Sequence, residues 1–481
     1  MSLIGAARPS GLGRFDDLRL EKVGVRLHEA LVERPGCSIR SLARGKRARQ
    51  MQFQRFLHND AVTTAEMART AAAHTSRLVR GRHVLAIQDS SELVYGGKEA
   101  RARGFGVIGR GGALGGLLLH MVLAVDADTG GLLGLIDMPV INRDQGPVEP
   151  RRRRALSDKE SRLWIESMKL SSVVLDGAAS ITVVGDRSGD IYEEFSERPA
   201  NVHVLVRACQ NRRIENTANS GATKDGKTGK KSATRLFEFA DALPVKARFT
   251  TTIPAAPGRE KRKTRLSVRY SPVVICKPGN GVRGNLPETV ALTIVDIREE
   301  KPPAEGEPIH WRLLTSQTVE NSGKARMILE QYRHRWIIEE YFHTLKTGGF
   351  DIEASQIESP AAMTRFIGAS AVAAVTVLQL IRARDGNTDQ PLEEAFEPED
   401  EPLLKQISTR LEGSTKRQKN PHPEGSMAYA SWVIARLGDW DGYYGKPGPK
   451  VMRRGLRAFY LIRYGTEIGD STEPITRQKD V

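Results

Sequence analysis

Two short apolar runs constrain this chain more than any other feature. They are Val84 to Ile87 in "HVLAIQDSSELVY" and Ile181 to Val184 in "ITVVGDRSGDIYEEF". Each run is unbroken by polar alternation and leads into an aspartate, Asp89 in the first and Asp186 in the second. The pattern predicts a buried strand that ends in a carboxylate, made twice. Between them, "LLLHMVLAVDADTGGLLGLIDMPV" has two apolar runs split by Asp126, Asp128, Gly130 and Gly131, which predicts a hairpin with both aspartates as turn formers. The segment "SDKE" offers a capping box, Ser157 with Glu160, to a helix carrying Trp164 and Ile165.

The rest of the chain surrounds these strands with other textures. Residues 14 to 76 space apolar and basic positions as helices do, with a break at Pro35 and Gly36. The basic residues there, Arg44, Lys46, Arg47, Arg49 and Arg55, suit a solvated face or a phosphate-contacting one equally. From about 200 to 320, short alternations such as "NVHVLVR" and "TVALTIVDI" lie between loops rich in Gly, Pro and Lys, which predicts a β-rich insertion. Helices return at 323 and run on to the small-residue segment at 366–381, expected to be a buried core helix and no membrane span. A linker around "RARDGNTDQPLEEAFEPEDE" precedes a helical tail. At 481 residues the chain exceeds one core. The expected domains are a helical 1–76, a catalytic 77–382 holding the insertion, and a helical 383–481.

Charge and cysteine usage narrow the partners. A formal charge of +15 and a pI near 9.7 favour a polyanion. Cys37, Cys209 and Cys276 are odd in number and far apart, which argues against a disulfide framework or a zinc site. With no evident export signal at the N-terminus, a cytoplasmic location is expected.

The stretch "QYRHRWIIEEYFHTLKTGG" supplies a third carboxylate. On one continuous helix, Tyr332, Arg335, Glu339 and Lys346 fall within roughly 60° of one another, with Glu340 off that face. Arg, Lys and Tyr donors hold phosphate oxygens, and a carboxylate among them suits a phosphate-bound divalent metal. Two Asp and one Glu could hold two magnesium or manganese ions about 4 Å apart for in-line displacement at phosphorus. Asp190, in the same "DRSGD", competes with Asp186 for the second place.

The order strand with Asp89, hairpin, helix, strand with Asp186, β insertion, then Y-x2-R-x3-E-x6-K resembles the DDE transposases of bacterial insertion sequences. Within them it is most similar to the insertion-sequence-four family and its transposon-five branch. The resemblance implies a ribonuclease-H-like α/β fold: a mixed sheet flanked by helices, with a β-rich insertion and helical N- and C-terminal domains. It implies Asp89, Asp186 and Glu339 as ligands of two Mg2+ ions, with Mn2+ as a substitute, and prefers Asp186 over Asp190. It assigns DNA contacts to Tyr332, Arg335, Lys346 and Arg207, and stacking on a flipped base to Trp311. It implies cut-and-paste transposition of double-stranded DNA by a homodimer joined through the C-terminal helices. The N-terminal helix departs from the family pattern, offering only Arg19, Lys22 and Arg26. Arg151 to Arg154 fit a DNA-contacting loop or a solvated one. Two other readings stand beside it: a catalytically inactive DNA-binding regulator derived from a transposase, and a nuclease without strand transfer.

Overall fold

The computed structural model describes residues 11–109, 112–143, 160–215, 234–253, 261–279, 285–303, 307–443 and 445–470. Ser157 and the Arg151 to Arg154 run lie outside the described residues. The chain divides into two compact units. One is formed by Met1–Val79, Ser90–Gln145 and Ile337–Val481, the other by Arg80–Asp89 and Gly146–Trp336.

The first unit opens with four helices, α1 (Leu18–Glu33), α2 (Ile39–Leu42), α3 (Arg47–His58) and α4 (Thr64–Leu78). Asp17, Ser38 and Thr63 each cap one of them by accepting a backbone N–H two or three residues on, which satisfies donors the helix leaves open. The Pro35–Gly36 break separates α1 from α2. Next comes β1 (His83–Gly96), and here the expectation fails: the strand does not end at Asp89 but runs seven residues further. Asp89 is instead the last residue of β1 in the second unit, and Ser90 the first in the other.

The chain continues through α5 (Lys98–Ala102), β2 (Gly106–Ile108), β3 (Leu114–Asp126), β4 (Leu132–Asp137) and β5 (Val140–Ile141). β2, β4 and β5 all pair antiparallel with β3. The β3–β4 hairpin turns on Asp126, whose Oδ1 accepts the backbone N–H groups of Asp128 and Thr129 at 3.0 and 2.9 Å. Asp126 thus acts as a turn former, and Asp128 contributes its backbone.

The second unit carries α6 (Ser161–Val174), β6 (Ser180–Gly185), α7 (Tyr192–Ser196), β7 (Val202–Arg207), α8 (Leu236–Ala242), β8 (Ala247–Ile253), β9 (Arg262–Cys276), β10 (Thr289–Glu299), β11 (His310–Thr315) and α9 (Ser322–Arg333). At α6 the N-cap residue is Glu160, which makes no side-chain cap bond there, and the expected Ser157–Glu160 box falls on Ser157, outside the described residues. The first stretch of β1 pairs parallel with β6, and β6 pairs parallel with β7. Beyond β7 the ladder turns antiparallel, in the order β7, β11, β10, β9, β8. The apolar runs at the centre, Val84 to Ile87, Val183 and Val184, and Val204 to Val206, are all buried, as continuous Val/Ile/Leu runs require.

Five helices complete the first unit: α10 (Trp336–His343), α11 (Pro360–Ala383), α12 (Asp400–Leu411), α13 (Met427–Leu437) and α14 (Pro449–Asp470). α11 is long and apolar enough to cross a bilayer, but 89% of its most apolar window is buried within the protein. It packs against α1, α4, β4, α13 and α14, the environment of a core helix. Pro360 at its first turn and the Ser359 cap fix where it starts.

Candidate active site

The parallel strands of the second unit place three chemistry-bearing side chains side by side. The β1–β6 register ends at Ile87 opposite Val184, and Asp89 and Asp186 each stand two residues beyond that last pair. The β6–β7 register ends at Gly185 opposite Val206, one residue before Asp186 and Arg207. All three therefore leave the carboxyl ends of adjacent paired segments, where open α/β sheets hold their ligands.

Asp186 and its competitor Asp190 are differently employed. Asp186 is half-buried and its Oδ1 accepts the Ser188 N–H at 2.7 Å, capping the 3-10 turn Arg187–Gly189. Asp190 is buried, and both its oxygens are spent. Its Oδ2 accepts the N–H groups of Cys209 and Gln210 at 2.8 and 2.7 Å. Its Oδ1 accepts Arg212 Nε and Nη2 at 3.0 and 2.6 Å, with both side chains nearly removed from solvent. Asp190 is a clamp between the turn after β6 and the turn after β7. A metal could take it only by dismantling that clamp.

The one helix expected to carry Tyr332 through Lys346 is interrupted twice. α9 ends at Arg333, and His334 and Arg335 form a turn in which Arg335 N–H donates to Tyr332 O at 3.1 Å before α10 begins. After His343 the chain loosens into a π-helix, Thr344–Gly348. A break and a wider turn both change the rotation per residue, so the angles of a straight helix do not apply from Tyr332 to Lys346. Tyr332 and Arg335 belong to the second unit. Arg335 Nη1 lies 3.3 Å from Asp89 Oδ2.

Glu339 and Lys346 belong to the first unit. α10 is fixed there by Tyr341, whose hydroxyl donates to Ala371 O at 2.6 Å. Glu340 accepts Arg382 Nη1 at 3.0 Å, an ion pair that holds it in a structural role. Lys346 Nζ donates to the carbonyl of Glu92 at 2.6 Å.

Around the two aspartates of the second unit, guanidiniums crowd together. Burial, together with Arg187 and Arg335, holds Arg207 below the ordinary arginine pKa, and Arg207 Nη2 donates to His310 O at 3.0 Å. Burial pushes the Tyr332 hydroxyl up despite Arg335 and Arg207, so it stays protonated at neutral pH. Trp311 on β11 is half-buried and meets the Tyr332 ring at 5.4 Å between centroids, at 64°. Beside it opens a cavity of about 360 Å³ lined by Arg187, Arg207, His310 and Arg312, with Cys209 and Phe237. Arg187, His310 and Arg312 had no part in the sequence reading. Their signal was adjacency: Arg187 follows Asp186, and "HWR" brackets Trp311.

Two carboxylates just beyond the last β1–β6 pair are hard oxygen donors and fit a divalent cation such as Mg2+ or Mn2+. Among the described residues, however, no group of three or more His, Cys, Asp or Glu is placed to hold a metal ion. Asp89 and Asp186 belong to the second unit and Glu339 to the first.

A mixed α/β sheet flanked by helices, with carboxylates leaving its parallel strands, is consistent with a ribonuclease-H-like DDE domain. Residues 160–376 match the family described as transposase DDE domain. That match supports a transposase, a class that acts on DNA and uses divalent metals. It spans Asp186, Arg207, Trp311, Tyr332, Arg335, Glu339 and Lys346, while Asp89 precedes it.

Proposed function

We propose that this protein is a metal-dependent DNA transposase of the cut-and-paste kind, working on transposon ends and target DNA as a homodimer. One observation carries the reading most: three guanidiniums, Arg187, Arg207 and Arg335, gather around the two carboxylates Asp89 and Asp186. Such crowding leaves excess positive charge beside a metal-type donor set, and an anionic phosphodiester relieves it.

In this reading Asp89, Asp186 and Glu339 hold the ions, Glu339 being assigned on its place in the Y-x2-R-x3-E-x6-K signature. Bound there, two divalent ions supply Lewis acidity to the attacking and leaving oxygens of a displacement at phosphorus. Arg207, Arg335 and Lys346 hold the non-bridging oxygens and keep the scissile phosphate in line. The protonated Tyr332 hydroxyl donates a hydrogen bond and does not attack. Trp311 offers a ring face to a base turned out of the duplex, which offsets the cost of unstacking. Strand cleavage, hairpin formation, hairpin opening and strand transfer each form one P–O bond and break another, so one site serves all. Exposed Leu461, Ile462 and Tyr464 on α14 suit a dimer contact through the C-terminal helices.

The test is incubation of the protein with linear DNA carrying its inverted repeat and Mg2+, wild type against Glu339→Gln. Hairpin-ended products are expected from the wild type and none from the variant. Binding of the DNA with no cleavage by the wild type would point to a regulator, and cleaved ends that are neither hairpinned nor joined would point to a nuclease. Trp311→Ala is expected to keep first-strand nicking while hairpin yield falls about tenfold or more, the equivalent of the ~1–3 kcal/mol that base stacking on an aromatic contributes. An unchanged hairpin yield removes Trp311 from that role.

A further inference from the structure

Beside Asp89 lies a buried polar pair outside the roles assigned so far. Gln88, the residue before Asp89, and Glu194 on α7 are both fully buried. Alternation along β1 sends Gln88 to the opposite face from Asp89. There its Nε2 donates to Glu194 Oε1 at 2.8 Å. Two further oxygens of the pair, Gln88 Oε1 and Glu194 Oε2, are buried without a hydrogen-bond partner.

We propose that Glu194, through Gln88, is a positioning residue for Asp89 and so for the Asp89–Asp186 pair. The inference rests on the transposase reading above for what those two carboxylates do, but the pair itself is a matter of geometry. Two buried acceptors left without a donor are costly if Glu194 is ionised. One proton resolves both. Glu194 Oε2 becomes a donor, and the acceptor it lacks belongs to the same Gln88 amide, so acid and amide can close a reciprocal pair. Burial pushes the Glu194 carboxyl well above the usual carboxylate range, with Asp190 and Asp186 adding to the rise against the Gln88 bond. A neutral acid fixes β1 at Gln88, beside Asp89, without adding a negative charge behind a site that already holds two.

The geometry behind Glu194 is tight on its other side. A Cβ on Gly189 would stand 3.3 Å from Glu194 Oε2 and 3.2 Å from Trp164, so Glu194 leaves little room beside the turn between Asp186 and Asp190. Glu194 is therefore hydrogen-bonded to β1 through Gln88 and close to the turn after β6 at Gly189.

The experiment compares Glu194→Gln, Glu194→Ala and Gln88→Leu in the full chain. Each is read by binding of Mn2+ alone, by DNA cleavage, and by the infrared band of a buried protonated carboxyl. Circular dichroism sets a temperature at which every variant is folded. Glu194→Gln preserves a neutral donor and acceptor, so Mn2+ affinity and cleavage are expected within about threefold of wild type while the acid band disappears. Glu194→Ala and Gln88→Leu are expected to weaken Mn2+ binding roughly 10–100-fold, the usual cost of losing an outer partner of a metal ligand. Loss of Mn2+ binding in Glu194→Gln would overturn the proposal by making Glu194 a charged participant. Unaltered Mn2+ affinity in folded Glu194→Ala would overturn it by leaving only a structural role, and so would a wild type lacking the acid band. A wild type that binds Mn2+ and shows the band but never cleaves DNA counts against the transposase reading and leaves the positioning role supported.

Discussion

Asp186→Asn is expected to abolish strand cleavage while leaving the fold in place. Asparagine keeps the side-chain oxygen that accepts the Ser188 N–H, so the turn Arg187–Gly189 retains its cap. What is lost is negative charge beside Arg187, Arg207 and Arg335 and, on the proposed function, a hard ligand for the metal. Deleting one electrostatic group at a reacting centre commonly costs ~10²–10³-fold in rate, and a lost metal ligand should exceed that. The measurement is single-turnover cleavage of end DNA under Mg2+, with thermal unfolding alongside. DNA binding should persist, because the variant increases the positive charge offered to phosphate. Cleavage within tenfold of wild type would show that Asp186 is not a ligand.

How far the site could be read beforehand depended on which forces set each residue's place. Asp89 and Asp186 were legible because continuous apolar runs mark parallel strands, and parallel neighbours put equivalent positions side by side. The onward course of β1 past Asp89 was not legible. "SSELVYG" carries no clean alternation, and the strand persists there through hydrogen bonds in the first unit, a tertiary cause. The break after Arg333 has no glycine or proline to announce it. It brings Arg335 within 3.3 Å of Asp89, a contact a straight helix would not have suggested. The π-helix at Thr344 did leave a trace, the Gly348–Gly349 pair at its end. The clamp on Asp190 was invisible because its partners, Cys209, Gln210 and Arg212, are some 20 residues away and follow a different strand.

That clamp supplies the second large effect. Asp190→Ala is expected to destabilise the second unit by about 3–5 kcal/mol, the cost of leaving one member of a buried ion pair unmatched. Arg212, with its side chain only 7% exposed, would keep its charge without a counter-ion, and the N–H groups of Cys209 and Gln210 would lose their acceptor. Asp190→Asn should recover only part of this, since an amide can still accept the two N–H groups but cannot neutralise Arg212. The check is amide exchange across residues 187–212, which reads local opening without assuming that the two units unfold together. Exchange there should quicken by roughly two to four powers of ten, at about 1.4 kcal/mol for each, and α13 and α14 in the other unit should keep their protection. A loss under about 1 kcal/mol would mean that Asp190 is not a clamp. The contrast with Asp186→Asn then separates two aspartates four residues apart: one whose removal is expected to cost chemistry with the fold intact, and one whose removal is expected to cost the local fold that joins the turns after β6 and β7.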